Sequence, residues 1–444
     1  MISLLFTCIR LMFFPLFLSF CTSQPLQYEN LDTLIKSKAT LMNEKQDLDE
    51  FISHASEKKL VLLGEASHGT HEYYAWRDSI SRRLIAEHHF NFIAVEGDFA
   101  SLYELNRYVK DLPGAALSAQ EVLLTFNRWP EWMWGNTEIL ELAEWLRTFN
   151  DTLANEKKVG FYGIDVYDEW RSKESLLTFL KTNNTELYNT LFQFYECYFP
   201  YINNSWQYAE AVLRGLTSCA YKSEIALLYL KNNIEKMVNI SKTDLFYLLQ
   251  NAYVFHYAER FYIKSVRGEH SASWNARVMH MHKTVKRLFD LYGDKSKGIV
   301  WAHNTHIGDA SYTDMRLHGQ TNIGELSRNH FGDEQVFLVG FTTYKGSVQA
   351  GLSWGGKREV LPIQDAQKNS IEEILNRTGY SSYYVIFDSE LRSHPELLQP
   401  MGNRAVGVVF HPQNERRQYV NTIVPLRYDA IIFFHETRAL QPIR

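Results

Sequence analysis

What most constrains the fold of this chain is a series of eight short apolar runs, each of strand length and almost free of polar residues. "LVLL" (60–63), "FIAV" (92–95), "VGFY" (159–162), "GIVWA" (298–302) and "VFLV" (336–339) come first. "YYVIF" (383–387), "VGVVF" (406–410) and "AIIFF" (430–434) follow. A strand with one wet face alternates apolar and polar residues; a strand covered on both faces reads as an uninterrupted apolar run. Helical patterns lie between the runs, as in "EYYAWRDSISRRLIAEH" (72–88) and "GNTEILELAEWLRTFN" (135–150). The alternation predicts an α/β fold, a mainly parallel sheet flanked by helices. From about 167 to 291 the strand signal disappears. "SLLTFLKTNNTELYNTLFQFYECYF" and "TDLFYLLQNAYVFHYAERFYIKS" there read as long amphipathic helices. A large all-helical insertion near the ligand-binding edge is expected, its aromatic stripe serving packing.

The residues that end these runs carry the functional signal. Leu63 leads to Gly64 and Glu65, and Val95 to Glu96, Gly97 and Asp98. Tyr162 leads through Gly163 and Ile164 to Asp165, and Ala302 to His303. If the strands are parallel, these groups share the carboxyl edge, where open α/β sheets bind ligands. Single acids or histidines in loops are ordinary. Three carboxylates and a histidine at successive strand ends are costly to bury without a use.

The chain has 444 residues, 45% hydrophobic and 22% charged, enough apolar material for a large core. Its formal net charge is −5 and no basic stripe stands out, which argues against nucleic acid as a partner. Aromatic residues, at 14%, suit a thick core first and a cleft for a large apolar ligand second. Residues 1–23 read as a signal peptide: Arg10, then the apolar "LMFFPLFLSF", then "CTSQ". That apolar run is too short to span a bilayer. "LSFC" also resembles a lipobox, which would place a lipid anchor on Cys21. The expectation is an exported protein, periplasmic or extracellular, without a transmembrane helix. Cys8 belongs to the leader; Cys197 and Cys219 either pair or stand as two buried thiols.

Three chemistries compete. "GLSWG" (351–355) matches the serine-hydrolase elbow, with Asp388 and His411 or His435 following in triad order. An elbow needs a buried strand before the serine and a helix after it. Polar "YKGSVQA" precedes and "GGKREVLP" follows, so a flexible loop over 352–362 is the better reading. His68 with His71 and His303 with His306 are both spaced i, i+3, and with carboxylates could hold zinc. "HGTHE" is not the zincin pattern, and His71 and Glu72 read as helix-start residues. The third chemistry is metal-free acid–base catalysis. "GEASHGT" sets Glu65 and His68 in one tight turn, with Gly64 and Gly69 allowing the bend and Ser67 or Thr70 capping the next helix. Histidine suits a base near neutral pH, a carboxylate can orient it, and Arg77 can reach back to bind an anion.

At these residues the sequence resembles the erythromycin esterase family. The matching pieces include "LGEASHGTHEYYAWRDSISRRLI", "FIAVEGDFASLYELNRYV", "WPEWMWGNTEILELAEWLRTFN", "VGFYGIDVY", "WNARVMHMHKTVKRL", "VWAHNTHIGDA" and "GFTTYKGSVQA", over about residues 30–440. The resemblance implies one catalytic domain over 24–444, with an α/β core and a helical insertion. It implies hydrolysis of a small-molecule ester or lactone by activated water, without a cofactor. The family includes enzymes that open the macrolide ring of erythromycin-type antibiotics. By motif match His68 would be the general base, Glu65 and Glu96 would hold or tune it, and Arg77, His303 and His306 would complete the pocket and stabilise developing charge. Asp98, Asp165, Trp132 and Trp134 are the expected substrate-binding residues, the two tryptophans from the aromatic stretch "RWPEWMW" (128–134). The alternatives are a zinc hydrolase built on the two histidine pairs and a non-catalytic ligand-binding protein.

Overall fold

A computed structural model describes residues 29–235, 237 and 240–444. The leader-like residues 1–23, with Cys8 and Cys21, lie outside the described residues. Among the described residues eleven strands are present: β1 (Thr40–Leu41), β2 (Leu60–Leu63), β3 (Phe92–Asp98), β4 (Gly160–Asp165), β5 (Gly298–Trp301), β6 (Val336–Gly351), β7 (Arg358–Ile363), β8 (Ser382–Ile386), β9 (Met401–Arg404), β10 (Tyr419–Thr422) and β11 (Ala430–Thr437). Nine form one sheet in the order β1-β8-β11-β6-β2-β5-β3-β4, with β7 paired to β6; β9 and β10 form a separate ribbon. The pairs from β11 through β4 are all parallel, and the β1–β8, β8–β11 and β6–β7 pairs are antiparallel. The expected mainly parallel α/β sheet is what forms.

The apolar runs are explained by two cores, one on each face. Val61, Leu63, Ile93, Val95, Ile299 and Trp301 enter one core with the helices His71–His88 and Thr137–Asp151. Leu60, Leu62, Phe92, Ala94 and Val300 enter the other with the helix His270–Tyr292. Because successive strand residues point to opposite faces, a strand between two dry layers is apolar at every position.

Between β4 and β5 the described chain holds only helices, from Glu169–Asn183 to His270–Tyr292. They have a core of their own, with Leu176, Leu191, Leu230 and Phe255 inside it. Cys197 and Cys219 are joined there by a disulfide, their Cα atoms 6.3 Å apart. Among the described residues no helix is long and apolar enough to cross a membrane.

Two expectations fail. The run at 406–410 is not a strand: Val406 and Val409 make only isolated bridges, to Ser67 and Gly351. Val406 and Phe410 are apolar because they pack on the β6–β7 hairpin, with Val348, Ala350, Leu361 and Ile363. Conversely, the polar 344–350 segment continues β6, and much of the expected 352–362 loop is β7. Half-exposed hairpin strands need no apolar run, so the pattern that finds buried parallel strands passes over them.

Candidate active site

Strands β2, β5, β3 and β4 are consecutive neighbours in the sheet. Their carboxyl ends therefore set Glu65, His303, Glu96 and Asp165 side by side, as the strand-end pattern anticipates.

The turn after β2 is held from outside. Gly64 and Gly69 avoid the left-handed conformation, so neither is there to permit a bend. They are there for close approach. A side chain on Gly64 would overlap the Asn304 side chain and the Val339 carbonyl, and one on Gly69 would overlap the backbone of Gln349. The Gly69 carbonyl accepts from the amides of Gln349 (2.9 Å) and Leu440 (3.0 Å). The expected side-chain cap is also absent. The Ser67 and Thr70 hydroxyls bond each other, and the first helical amide, that of His71, donates to the Arg438 carbonyl at 2.8 Å. The chain terminus thus satisfies a helix end that a cap normally serves.

Glu65 is the hub of the first half of the site. Its Oε1 lies 2.9 Å from Nδ1 of His68, and its Oε2 accepts from Nη2 of Arg77 at 2.8 Å. Arg77 is fully buried, its guanidinium over the rings of Tyr74 and Trp301, so its charge reaches the site only through Glu65. The Tyr74 hydroxyl donates to the His68 carbonyl at 2.9 Å, fixing the backbone that carries the imidazole. With Nδ1 engaged, the opposite nitrogen, Nε2, is left for the cleft that His68 lines. Burial presses the His68 pKa down, but the Glu65 hydrogen bond and the charges of Glu96 and Glu65 outweigh it and raise it above 6.5.

Glu96 is the hub of the second half. Its Oε2 accepts the His303 amide at 2.8 Å; its Oε1 faces Nη2 of Arg277 at 2.7 Å and Nε2 of His306 at 3.2 Å. Burial pushes the Glu96 carboxyl up, but His306, His68 and Arg277 hold it well below the usual carboxylate range. His303 packs its ring 4.9 Å from that of His68, and its Nδ1 faces the Thr305 hydroxyl at 2.8 Å. Burial, with the His68 charge added, drives its pKa well down, so His303 stays neutral. His306 stacks on Trp274 at 4.4 Å.

These groups border an open cleft of about 740 Å³, mouth included. His68, Glu96, Asp98, Asp165 and Trp134 line it, but Glu65, Arg77, His303 and His306 stand behind that wall. Arg77, His303 and His306 therefore support the site from behind and do not face a substrate. Trp132 is a further correction. In the turn Glu131–Met133 its side chain falls into the core, 1% exposed, while Trp134 reaches the cleft. Nor are the acids free to bind substrate. Asp165 holds Arg277 in a fork (2.8 and 2.6 Å), and Asp98 holds Arg128 in another. Arg277, Arg128, Tyr167 and Trp354 line the cleft and were not singled out from the sequence. Arginine in the middle of a soluble helix, or in a loop, carries no signal until its partners are known.

The competing chemistries lose their geometry. His71 turns to Glu138 (2.6 Å) and leaves the site, so the His68/His71 pair does not converge on one ion. Among the described residues no cluster of three or more His, Cys, Asp or Glu is arranged to hold a metal. Ser353 sits in the turn between β6 and β7, a hairpin and not a strand–helix elbow. Asp388 pairs with Lys38 at 2.7 Å, and His435 with Asn376.

The chain is thus an α/β protein with a carboxylate–histidine pair at the carboxyl edge of its parallel sheet. Comparison narrows the class: the profile of the family described as Erythromycin esterase matches residues 85–437, and the chain belongs to that family. An "Erythromycin esterase type II" from Escherichia coli is 24% identical over 369 residues, covering 78% of this chain and 83% of that one. Among solved structures, a protein from Bacillus cereus superposes with a TM-score of 0.76 at 16% identity, over 93% of this chain and 98% of its own. A succinoglycan biosynthesis protein gives 0.75 at 17%, over 93% and 97%. A mutant of the erythromycin esterase EreC in its open conformation gives 0.63 at 16%, over 89% and 94%. At these identities the structural matches show the fold. Family membership supports a hydrolase of the esterase kind acting on a small molecule.

Proposed function

We propose that this chain hydrolyses a carboxylic ester or lactone with a water molecule activated at His68. The observation that carries the reading is the Glu65–His68 hydrogen bond at the cleft wall. Glu65 fixes the imidazole through Nδ1, so Nε2 takes the proton as water oxygen attacks the carbonyl carbon. The carboxylate stabilises the imidazolium that results, and Arg77 holds that carboxylate in place. The proton then passes from His68 to the alcohol oxygen as the ester bond breaks. Serving water suits this cleft: among the described residues the one serine, threonine or cysteine lining it is Ser101, whose hydroxyl donates to Asp168 and not to His68.

The acyl and alcohol parts are open to a macrolide or a simpler ester. The test is turnover of erythromycin and a panel of simple esters by the wild type and His68→Ala, with and without chelator. The expected result is chelator-insensitive turnover that falls on the order of 10²–10⁴-fold in the variant. A folded His68→Ala protein with full activity would overturn the assignment, and a wild type inert on the whole panel would favour a ligand-binding protein. Export rests on the leader-like residues 1–23, and N-terminal sequencing of the protein from an expressing host tests it.

A further inference from the structure

The helices between β4 and β5 bring one cation to the sheet edge. Arg277 lies in the helix His270–Tyr292, whose apolar side, Val278, Met281, Val285 and Leu288, is buried against the sheet. The packing fixes the helix, and the helix carries Arg277 over the ends of β3 and β4. There Nε and Nη2 are taken by Asp165, and Nη2 also by Glu96. Tyr167 lies against the guanidinium, 5.1 Å from ring centre to Cζ. Nη1 is the edge that no carboxylate engages, and Arg277 lines the same cleft as His68. The two groups are near enough that the arginine's charge opposes protonation of His68.

Hydrolysis by activated water is helped by hydrogen-bond donors or a positive group where the carbonyl oxygen becomes negative, and a cation in a dry site is worth most. The cations and histidines behind the wall do not reach that position. Arg77 has both spare nitrogens, Nε and Nη1, buried away from solvent, and His306 is 2% exposed. Arg128, the other arginine lining the cleft, has Nε and Nη2 tied to Asp98 and Nη1 donating to the Trp129 carbonyl at 3.0 Å, which leaves no edge for a substrate. Resting on the ester-hydrolase reading above, we infer that Arg277 is the catalytic residue that stabilises the oxyanion, donating from Nη1 to the former carbonyl oxygen. As water oxygen bonds to the carbonyl carbon, the C=O π pair moves onto that oxygen beside Nη1, and the water proton goes to Nε2 of His68. When the ester C–O bond breaks, the pair returns to re-form C=O and the alcohol oxygen takes the proton from His68. Arg277 changes neither charge nor protonation through the cycle. Two carboxylates fix the fork in advance, so no reorganisation is needed as charge develops. The helical insertion thereby supplies a group to the cleft.

Arg277→Ala and Arg277→Lys are compared with the wild type and His68→Ala on erythromycin and p-nitrophenyl butyrate, with thermal melting to establish folding. The expected result for Arg277→Ala is a kcat loss on the order of 10²–10³-fold with KM nearly unchanged. Arg277→Lys, which keeps the charge but loses the fork, falls in between. Millimolar guanidinium restores part of kcat to Arg277→Ala and none to His68→Ala. Affinity for an aryl phosphonate, a tetrahedral anion, falls in step with kcat. Wild-type kcat in a folded Arg277→Ala, or a loss confined to KM, overturns the inference while leaving the His68 reading intact. Unimpaired turnover by His68→Ala, or none by the wild type, overturns that reading and this one with it. If Arg277→Ala does not fold, Arg277→Lys decides: unchanged phosphonate affinity overturns the inference.

Discussion

Glu65 at the sheet edge and Glu259 inside the helical insertion are both buried near a histidine, in very different surroundings. Glu65 bonds His68 directly, is backed by Arg77, and leaves the far ring nitrogen to a cleft. Glu259 is held by the hydroxyls of Tyr198 (2.6 Å), Tyr208, Ser218 (3.0 Å) and Ser223 (3.2 Å). Its histidine, His256, touches it only through Ser223, at 3.2 Å. Burial, with Arg260 and Lys283 adding, presses His256 down to about 4, whereas the carboxylates raise His68 above 6.5. Serine, histidine and glutamate together are therefore no mark of catalysis. In the function proposed above, His68 can serve as a base because a carboxylate meets it directly beside the cleft. Where hydroxyls take the carboxylate and apolar walls close in, the same residues are glue.

Substitutions can break this contrast. The largest effect is expected for His68→Ala, a kcat loss on the order of 10²–10⁴-fold with the melting temperature little changed. Glu65→Gln keeps the shape but removes the charge that steadies the imidazolium, and kcat is expected to fall about 100-fold. Steady-state kinetics on purified, folded protein check both. His256→Ala and Ser223→Ala should do the reverse: activity within about two-fold of wild type, and about 1–2 kcal/mol of stability lost in chemical denaturation, from buried hydrogen bonds broken. A large loss of activity in either insertion variant would erase the distinction.

The same contrast explains what could be read from the sequence. The sheet-edge half was legible because each strand is an unbroken apolar run and its end is marked by a residue that does not belong there: Glu65, Glu96, Asp165, His303. Strand ends that are neighbours in the sheet bring those marks together without any knowledge of side-chain packing. Arg277 was not legible. Its partners lie 112 and 181 residues away, and its helical period reports only which side of the helix is apolar. Trp132 and Trp134 could not be told apart either, since the short turn between them follows neither strand nor helix period. Arg77 reaches back to Glu65 but stays buried away from the cleft, because spacing gives reach and not exposure. The turn that carries His68 is held by Gln349 and by the last residues of the chain, contacts that no local motif announces.

The central claim is that Glu65 tunes His68 as a base, and its direct test is the pH dependence of kcat/KM for wild type and Glu65→Gln on one ester substrate. A base must be neutral to act. Because the Glu65 bond and the nearby carboxylates raise the His68 pKa, wild-type activity should be lost below an apparent pKa above 6.5 and rise through it to a plateau at higher pH. Removing the Glu65 charge takes away the main raising influence and leaves burial opposed by Glu96 alone, so in Glu65→Gln the plateau is lower and the limb moves toward acid pH. A limb that stays where it is in Glu65→Gln, or a profile without an ascending limb, would contradict the account.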